Sequence, residues 1–228
     1  MTIIFYDIPS TLPGNAWSPN TWKARYCLNF KGIPYRTEWL EYPDIAGHCK
    51  KFGIAPTSVN ADGSPKYTLP AIHDPSTGVY LADSFAIAEY LEKTYPDTPR
   101  LFPGNSAGLQ ATIDAALHPR SAAFFRSARE IDFGMPLDDV LPKGDEAVTE
   151  WAKFRDDLGK VDAWYAKSGG PFLMGSAVSW ADFAVAGSLV WMRTVWGKES
   201  TEWKDIASWQ GGRWKMLFEN LTQYETVA

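Results

Sequence analysis

Residues 69–91, LPAIHDPSTGVYLADSFAIAEYL, decide the fold of this chain. Two short runs rich in apolar residues, 69–73 and 79–81, flank the turn-forming sequence 74–78, and this pattern predicts a β-hairpin. A helix follows, because large apolar side chains recur at i, i+3, i+4 and i+8 until Pro96 stops it. The side chains on that face are Ile87, Tyr90, Leu91 and Tyr95. The stretch therefore predicts a β-β-α unit.

The residues before this unit predict two strands that alternate with two helices. Residues 3–6 form an apolar run typical of a buried strand, and residues 35–39 alternate large and polar side chains. Between them lies one apolar helix face, which Gly32 and Pro34 bring to an end. A short helix over residues 44–52 completes the order β-α-β-α-β-β-α. The side chains on the first helix face are Trp22, Tyr26, Cys27 and Phe30.

The rest of the chain predicts helices only. The Pro-rich stretch 96–103 is typical of a linker, and residues 106–133 indicate one long or two shorter helices, kinked or divided at Pro119. The expected organisation is an α/β domain over residues 1–98 and an all-helical domain over residues 104–228.

Two further helices are predicted in the second half. Residues 151–165 carry large apolar side chains at i, i+3, i+7, i+10 and i+14, which indicates a strongly amphipathic helix. Another helix covers residues 179 to about 196, and its first residues form a capping box between Ser179 and Asp182.

Composition excludes several classes of function. The chain has 228 residues and a net charge of -5, and neither half is basic, so we expect no nucleic-acid partner. Its two cysteines, Cys27 and Cys49, lack the CxxC spacing of a dithiol redox site. No secretory signal is recognisable, and the most apolar stretch, residues 183–192, is too short to span a membrane. We therefore expect a soluble cytoplasmic protein, with 11 tryptophans that suit a core or an aromatic-lined cleft.

Three short segments carry the candidate chemistry, and each has a structural alternative. Ser18, just before the first helix, is an N-cap or part of an anion site that favours a thiolate over a thiol. Thr68-Leu69-Pro70 is a plain trans edge, or a cis turn that presents the backbone of Leu69 to an extended peptide. The third segment is Asp83-Ser84.

Asp83 and Ser84 open the helix after the hairpin, where capping is one role and ligand binding a second. The Ser84 hydroxyl and nearby N–H groups would bind an α-carboxylate, and Asp83 would pair with the ammonium group. All three segments are expected at one end of the sheet. Together they describe a site for an anionic peptide with a thiol at one end and a free α-amino acid at the other, and glutathione fits that description.

These motifs give the chain a resemblance to the cytosolic glutathione transferase superfamily over nearly its whole length. Residues 83–91 resemble the family's γ-glutamyl-binding segment, Leu69-Pro70 its cis-proline loop, and residues 179–182 the capping box of its helical domain. Residues 17–23, WSPNTWK, are similar to a fungal class related to bacterial lignin β-etherases. The resemblance implies a thioredoxin-like first domain, an all-α second domain and a homodimer.

The resemblance also implies roles for individual residues. Ser18 would hydrogen-bond the sulfur of glutathione as the catalytic residue, and the second substrate would lie among aromatic side chains. A cation would pair with the glycine carboxylate, with no choice possible among His48, Lys50, Lys51 and Lys66. The implied glutathione-binding residues are Asn20, Lys66, Thr68, Leu69, Pro70, Asp83 and Ser84. The implied second-substrate residues are Trp17, Trp22, Phe124, Phe125 and Arg126.

The function implied is conjugation of glutathione to aromatic or phenolic electrophiles, together with binding of aromatic small molecules, and no metal. Two alternatives stay open: a mainly non-catalytic binding protein for aromatics, and a glutathione-dependent enzyme that cleaves β-aryl ethers. A thiol-transferase role is disfavoured, because Ser18 cannot form a mixed disulfide as a cysteine would. Two departures from many relatives, Asn20 where an aromatic often stands and a long loop before Ser18, affect the second-substrate pocket.

Overall fold

A computed structural model describes residues 2–60, 62–113 and 143–228. The first part is built around a four-stranded sheet with helices on both faces. The strands of this part are β1 (Ile3–Asp7), β2 (Tyr35–Trp39), β3 (Ser58–Val59), β4 (Pro65–Lys66), β5 (Ala71–Asp74) and β6 (Val79–Ala82). The helices are α1 (Pro19–Lys31), α2 (Tyr42–Lys51) and α3 (Ser84–Thr94).

The main sheet has the strand order β2-β1-β5-β6, in which β1 and β2 are parallel and the other pairs are antiparallel. Successive side chains of a strand point to opposite faces, and β1 follows this rule. Ile3 and Phe5 join the apolar cluster that contains α1 and α3, whereas Tyr6 joins the cluster that contains Ile45 of α2. The two faces of the sheet are thereby each covered by helix.

This architecture confirms the predicted fold class, a thioredoxin-like mixed-sheet domain followed by helices. The difference lies between α2 and β5, where the sequence indicated only a turn over residues 60–65. Here β3 and β4 pair as a small separate hairpin, in the register Ser58 to Lys66. Both strands are exposed, so no apolar alternation marked them in the sequence.

A buried lysine binds the linker, residues 96–103, that connects the two parts. The Lys31 ammonium group has no exposed surface; it lies 3.2 Å from a Glu92 carboxylate oxygen and donates to the Pro99 carbonyl at 3.0 Å. Glu92 also accepts hydrogen bonds from Arg100 Nε at 2.5 Å and from the Leu101 N–H at 2.9 Å. The predicted linker is therefore held against α1 and α3 by charge as well as by packing.

The helical part contains three long helices in the described residues, α4 (Gly144–Ser168), α5 (Trp180–Trp196) and α6 (Thr201–Leu221). The predicted capping box is present, with Asp182 accepting from the N–H and hydroxyl of Ser179 at 2.9 and 2.8 Å. Residues 107–113 are helical, as predicted; the rest of the helical prediction over 106–133, with Pro119, lies outside the described residues.

The last helix, α6, has no counterpart in the sequence-based prediction. Its regular spacing is broken at residues 209–212, where Gln210, Gly211 and Gly212 all have positive φ values of 48°, 68° and 82°. Two helical segments therefore meet at a kink, and each is too short to give a long apolar repeat. None of the helices in the described ranges combines the length and hydrophobicity that a membrane span requires.

The two parts meet where α1 packs along α5. Tyr26 of α1 stacks on Phe183 of α5 with ring centroids 5.4 Å apart. Closer to the start of α1, Gly187 lies so near the backbone that a Cβ there would be 2.7 Å from the Pro19 carbonyl oxygen. The absence of a side chain at Gly187 lets the first turn of α1 lie directly on α5.

Candidate functional site

Ser18 occupies the N-cap position of α1 but does not cap the helix. Its backbone is extended, with φ -66° and ψ 127°, and its side chain makes no capping hydrogen bond. The residue is 6% exposed, and its hydroxyl has no hydrogen-bond partner among the described residues. Its carbonyl oxygen, in contrast, accepts from the Trp22 N–H and the Thr21 hydroxyl, both at 3.0 Å. The backbone is thus fixed while the hydroxyl stays available for a ligand.

The peptide bond between Leu69 and Pro70 is cis, which is the second of the two alternatives that the sequence left open. Within the ranges that the structure describes, no hydrogen bond is formed by the backbone N–H or C=O of Leu69. The neighbouring Thr68 hydroxyl is 2.7 Å from that of Thr57, which ties this loop to the base of the β3–β4 hairpin. Leu69 therefore keeps a donor and an acceptor for an extended ligand.

Asp83 both caps α3 and keeps one carboxylate oxygen unused. Its Oδ1 accepts from the N–H groups of Phe85 and Ala86 at 3.0 and 2.9 Å, which confirms the capping interpretation. No hydrogen bond to Oδ2 is present in the described part of the chain, and the residue is exposed with φ 83°. Ser84, 7% exposed, follows at the first position of the helix.

The sheet register brings these three segments to one end of the sheet. Tyr6 of β1 pairs with Ala71 of β5, and Ala71 pairs with Ala82 of β6. The Ser18 loop follows the end of β1, Pro70 precedes β5, and Asp83 follows β6, so all three leave the sheet on the same side. A hydrogen bond of 3.3 Å from the Asp83 N–H to the Pro70 carbonyl joins two of them directly.

The four candidate cations differ in how available they are. His48 is half-buried, with its ring 4.3 Å from that of Tyr6 and its Nε2 buried without a partner. Burial lowers its pKa; Glu38 opposes this more weakly, and Lys51 adds a still smaller lowering effect. His48 is therefore uncharged at neutral pH and a poor anion partner. The exposed cations of the set are Lys50, Lys51 and Lys66.

The predicted aromatic residues lie in different surroundings. Trp17 is half-buried, packs against both apolar clusters and donates its indole N–H to the Pro9 carbonyl at 3.2 Å. Trp22 is only 5% exposed, and its ring packs 5.3 Å from that of Tyr26, so the structure places it in the core. Phe124, Phe125 and Arg126 lie outside the described residues.

A buried ion pair beneath the Ser18 turn was not anticipated from the sequence. Asp7, the last residue of β1, lies 2.6 Å from the guanidinium group of Arg25 on α1, and neither side chain has exposed surface. The sequence held one signal, since Arg25 is three residues after Trp22 and so shares its apolar helix face.

Metal binding and thiol chemistry find no support in the described part of the chain. Among those residues no group of three or more His, Cys, Asp or Glu side chains is placed to hold a metal ion. Cys27 and Cys49 are fully buried, and burial raises the pKa of both thiols, well above the usual value for Cys27. Neither is a reactive thiolate.

Comparison with known families settles the assignment that this geometry suggests. A model described as the glutathione S-transferase N-terminal domain matches residues 17–94, and one described as its C-terminal domain matches residues 104–224. The chain belongs to the glutathione transferase family. This glutathione transferase is also 31% identical to the glutathione S-transferase-like protein ustS of Aspergillus flavus, over 96% of the chain and 90% of the relative.

Two solved structures of fungal glutathione transferases are similar to this chain. A glutathione S-transferase of Ceriporiopsis subvermispora, determined in complex with glutathione, is 44% identical with a TM-score of 0.89, covering 100% of this chain and 99% of its own. GSTFuA3 of Phanerochaete chrysosporium is 39% identical with a TM-score of 0.87 and the same coverage.

Proposed function

We propose that this glutathione transferase binds glutathione with its sulfur at Ser18 and transfers the thiolate to an aromatic or phenolic electrophile. The observation that carries the proposal is the unpaired Ser18 hydroxyl at the start of α1. It lies at the same end of the sheet as the free backbone of Leu69 and the Asp83-Ser84 pair. A solved relative, the Ceriporiopsis subvermispora enzyme, is a glutathione complex, which supports the choice of ligand.

The start of α1 suits an anionic sulfur. An unperturbed thiol has a pKa of about 8.5, and lowering it by ~2 units corresponds to ~2.7 kcal/mol in favour of the thiolate. A hydroxyl donor together with the unpaired N–H groups of a first helical turn and the helix dipole supplies an effect of that order. Pro19 has no N–H, so in this turn Asn20 and Thr21 provide the backbone donors.

The rest of the tripeptide would be held by groups that lack partners in the protein. The N–H and C=O of Leu69 would pair with the cysteinyl unit as an added strand. At the γ-glutamyl end, Oδ2 of Asp83 would accept from the ammonium group, and the Ser84 hydroxyl would bind the carboxylate. We assign the glycine carboxylate to an exposed lysine rather than to His48, whose lowered pKa leaves it neutral.

For the electrophile we propose a pocket beside Trp17, the half-buried aromatic residue directly before Ser18. Trp22 supports this pocket from the core instead of lining it, since its ring is buried against Tyr26. The aromatic character of Trp17 favours an electrophile with a planar ring.

Titration of the thiolate absorbance of bound glutathione tests the role of Ser18. In Ser18→Ala we expect the thiol pKa to return towards about 8.5 and kcat/KM with an aryl halide at neutral pH to fall about 10- to 100-fold. Ser208→Ala, an exposed serine on α6, is the matched control and should behave as wild type. A Ser18→Ala variant whose thiol titrates as in wild type would remove Ser18 from the mechanism.

Two further variants separate sulfur activation from peptide binding. Asp83→Asn should weaken affinity for glutathione and for S-methylglutathione alike, while the pKa of the bound thiol stays as in wild type. Ser18→Cys should gain reduction of glutathione mixed disulfides, because a cysteine at this position can form the disulfide that a serine cannot. Absence of that activity, with Asp83→Asn binding normally, would mean that glutathione lies elsewhere.

A further inference from the structure

The buried Asp7–Arg25 pair is placed directly behind the turn that carries Ser18. Asp7 ends β1, and its Oδ1 accepts from the Ile8 N–H at 2.7 Å while its Oδ2 meets Arg25 at 2.6 Å. Removing both charges from water is costly unless hydrogen bonds compensate. Here the guanidinium group also lies over the Phe5 ring, 4.8 Å from its centroid, so the pair is enclosed by core.

Arg25 is held on its other side by two hydroxyl groups of the edge strand β2. Its Nη1 donates to the Tyr35 hydroxyl at 3.2 Å and to the Thr37 hydroxyl at 3.1 Å. Each hydroxyl has only one proton, and each gives it to the C-terminal segment: Tyr35 to the Thr226 carbonyl at 3.0 Å and Thr37 to an Ala228 oxygen at 2.5 Å. The segment thereby orients both oxygens to accept from Arg25.

Thr21 shares a helix face with Arg25 and bonds the backbone of Ser18. The fully buried Thr21 hydroxyl donates to the Ser18 carbonyl at 3.0 Å. Thr21 lies one turn before Arg25 on α1, so the two side chains share one face of the helix. Burial raises the pKa of Asp7, and Arg25, Thr21 and the Ile8 N–H oppose that rise. Hydrogen bonds therefore link residues 226–228 to Arg25 and Asp7, and Thr21, on the same face of α1 as Arg25, fixes the backbone of Ser18.

We propose that Thr21, Asp7 and Arg25 are positioning residues that fix the Ser18 turn, and that residues 226–228 complete this network, so that thiolate formation at Ser18 depends on it. This inference rests on the proposed function of Ser18. None of these side chains contacts the ligand. Their effect is to keep the free hydroxyl of Ser18 and the first N–H groups of α1 in one arrangement before glutathione binds.

The decisive variant is Thr21→Val, which keeps the shape of the side chain and removes the hydroxyl. We expect the bound thiol to titrate at higher pH and kcat/KM at neutral pH to fall about three- to tenfold, the effect of losing one hydrogen bond. Thr21→Ser, which restores a hydroxyl, should return both values towards wild type. Thr149→Val, at an exposed position on α4 whose hydroxyl bonds Asp145, is the matched control.

S-methylglutathione separates positioning from general damage, because it carries the tripeptide but no ionisable thiol. Its dissociation constant in Thr21→Val should stay within about twofold of wild type. Thr37→Val, remote from the ligand, should shift the thiol titration in the same direction by a smaller amount. A variant that lowers the melting temperature while the thiol titrates as in wild type would overturn the inference.

The inference and the proposed function fail separately. If Ser18→Ala shifts the thiol titration and Thr21→Val does not, Ser18 keeps its role and the positioning network is wrong. If Ser18→Ala leaves the titration unchanged, the proposed function itself is wrong. If Thr21→Val and Thr37→Val both shift the titration while Thr21→Ser does not, both proposals are supported.

Discussion

Replacing Gly187 by alanine tests whether close contact between the two parts of the molecule sets the position of the site. A Cβ at Gly187 would lie 2.7 Å from the Pro19 carbonyl oxygen, 3.3 Å from Lys23 Cγ and 3.4 Å from the Lys23 nitrogen. The nearest of these atoms belongs to the backbone of α1, so it cannot swing aside as the end of a side chain would. Either α1 or α5 must move.

The size of the effect follows from this distance. Carbon–oxygen contacts of this kind are comfortable at about 3.3–3.6 Å, so the two helices must separate by roughly 0.6 Å. Overpacking of a well-packed core typically costs ~1–3 kcal/mol, while alanine in place of glycine inside a helix stabilises by ~0.5–1 kcal/mol. For Gly187→Ala we therefore expect a net loss of about 1 kcal/mol, within a range of about 0–2.5 kcal/mol, in the free energy of unfolding.

Urea unfolding of Gly187→Ala beside Gly47→Ala gives the test. Gly47 also lies within a helix, but a Cβ there would meet nothing within 4 Å, so this control should gain stability. Because Pro19 directly follows Ser18, Gly187→Ala should also lower kcat/KM for conjugation, whereas Gly47→Ala should not. Equal or greater stability of Gly187→Ala than of Gly47→Ala would refute the argument from close contact.

Two further predictions concern buried carboxylates. Glu92→Gln leaves the Lys31 ammonium group buried without its counter-charge and should cost about 2–4 kcal/mol in urea unfolding at neutral pH. Burial raises the pKa of Glu92, but the hydrogen bonds from Arg100, Leu101 and Lys31 outweigh that effect and leave the pKa lowered. The stability that Glu92 contributes should therefore fade as pH falls towards about 4. A stability loss in Glu92→Gln that is the same at all pH values would contradict this prediction. Burial raises the pKa of Asp182 from 3.8 to about 6. Between these two pH values the folded state therefore holds a proton on Asp182 that the unfolded state has lost. The stability of wild type relative to Asp182→Asn should thus decrease by up to about 3 kcal/mol from pH 4 to pH 6, and a constant difference would contradict the raised pKa.

Local patterns were sufficient to predict most of the elements. The apolar face of α1, with Trp22 and Tyr26, is set by a helical repeat that needs no distant partner, and both residues are buried as that repeat indicates. The capping box of α5 involves only Ser179 and Asp182, three residues apart, and is present. The cis bond before Pro70 was one of two alternatives, because its choice depends on the surrounding loop and not on the dipeptide alone.

The parts that could not be predicted depend on distant residues. Ser18 is a residue type typical of an N-cap and stands at the N-cap position, and only the structure shows that its hydroxyl makes no capping bond. Arg25 lies on an apolar face, and its partners come from β1 and from β2 across the sheet. The kink of α6 at Gln210 interrupts the periodicity by which a helix is recognised, so the sequence pattern does not indicate that helix.

The first turn of α1 is held from both sides, and this accounts for the unusual state of Ser18. On one side Gly187 of α5 lies so close to the Pro19 carbonyl that there is no room for a Cβ, and on the other the Thr21 hydroxyl donates to the Ser18 carbonyl. These contacts involve only backbone and neighbouring side chains, so the turn does not need the Ser18 hydroxyl for its own stability. A serine used as a cap would have to give up that bond to meet a ligand, at a cost of about 1 kcal/mol. The turn is held without the Ser18 hydroxyl, so this hydroxyl stays available for a ligand.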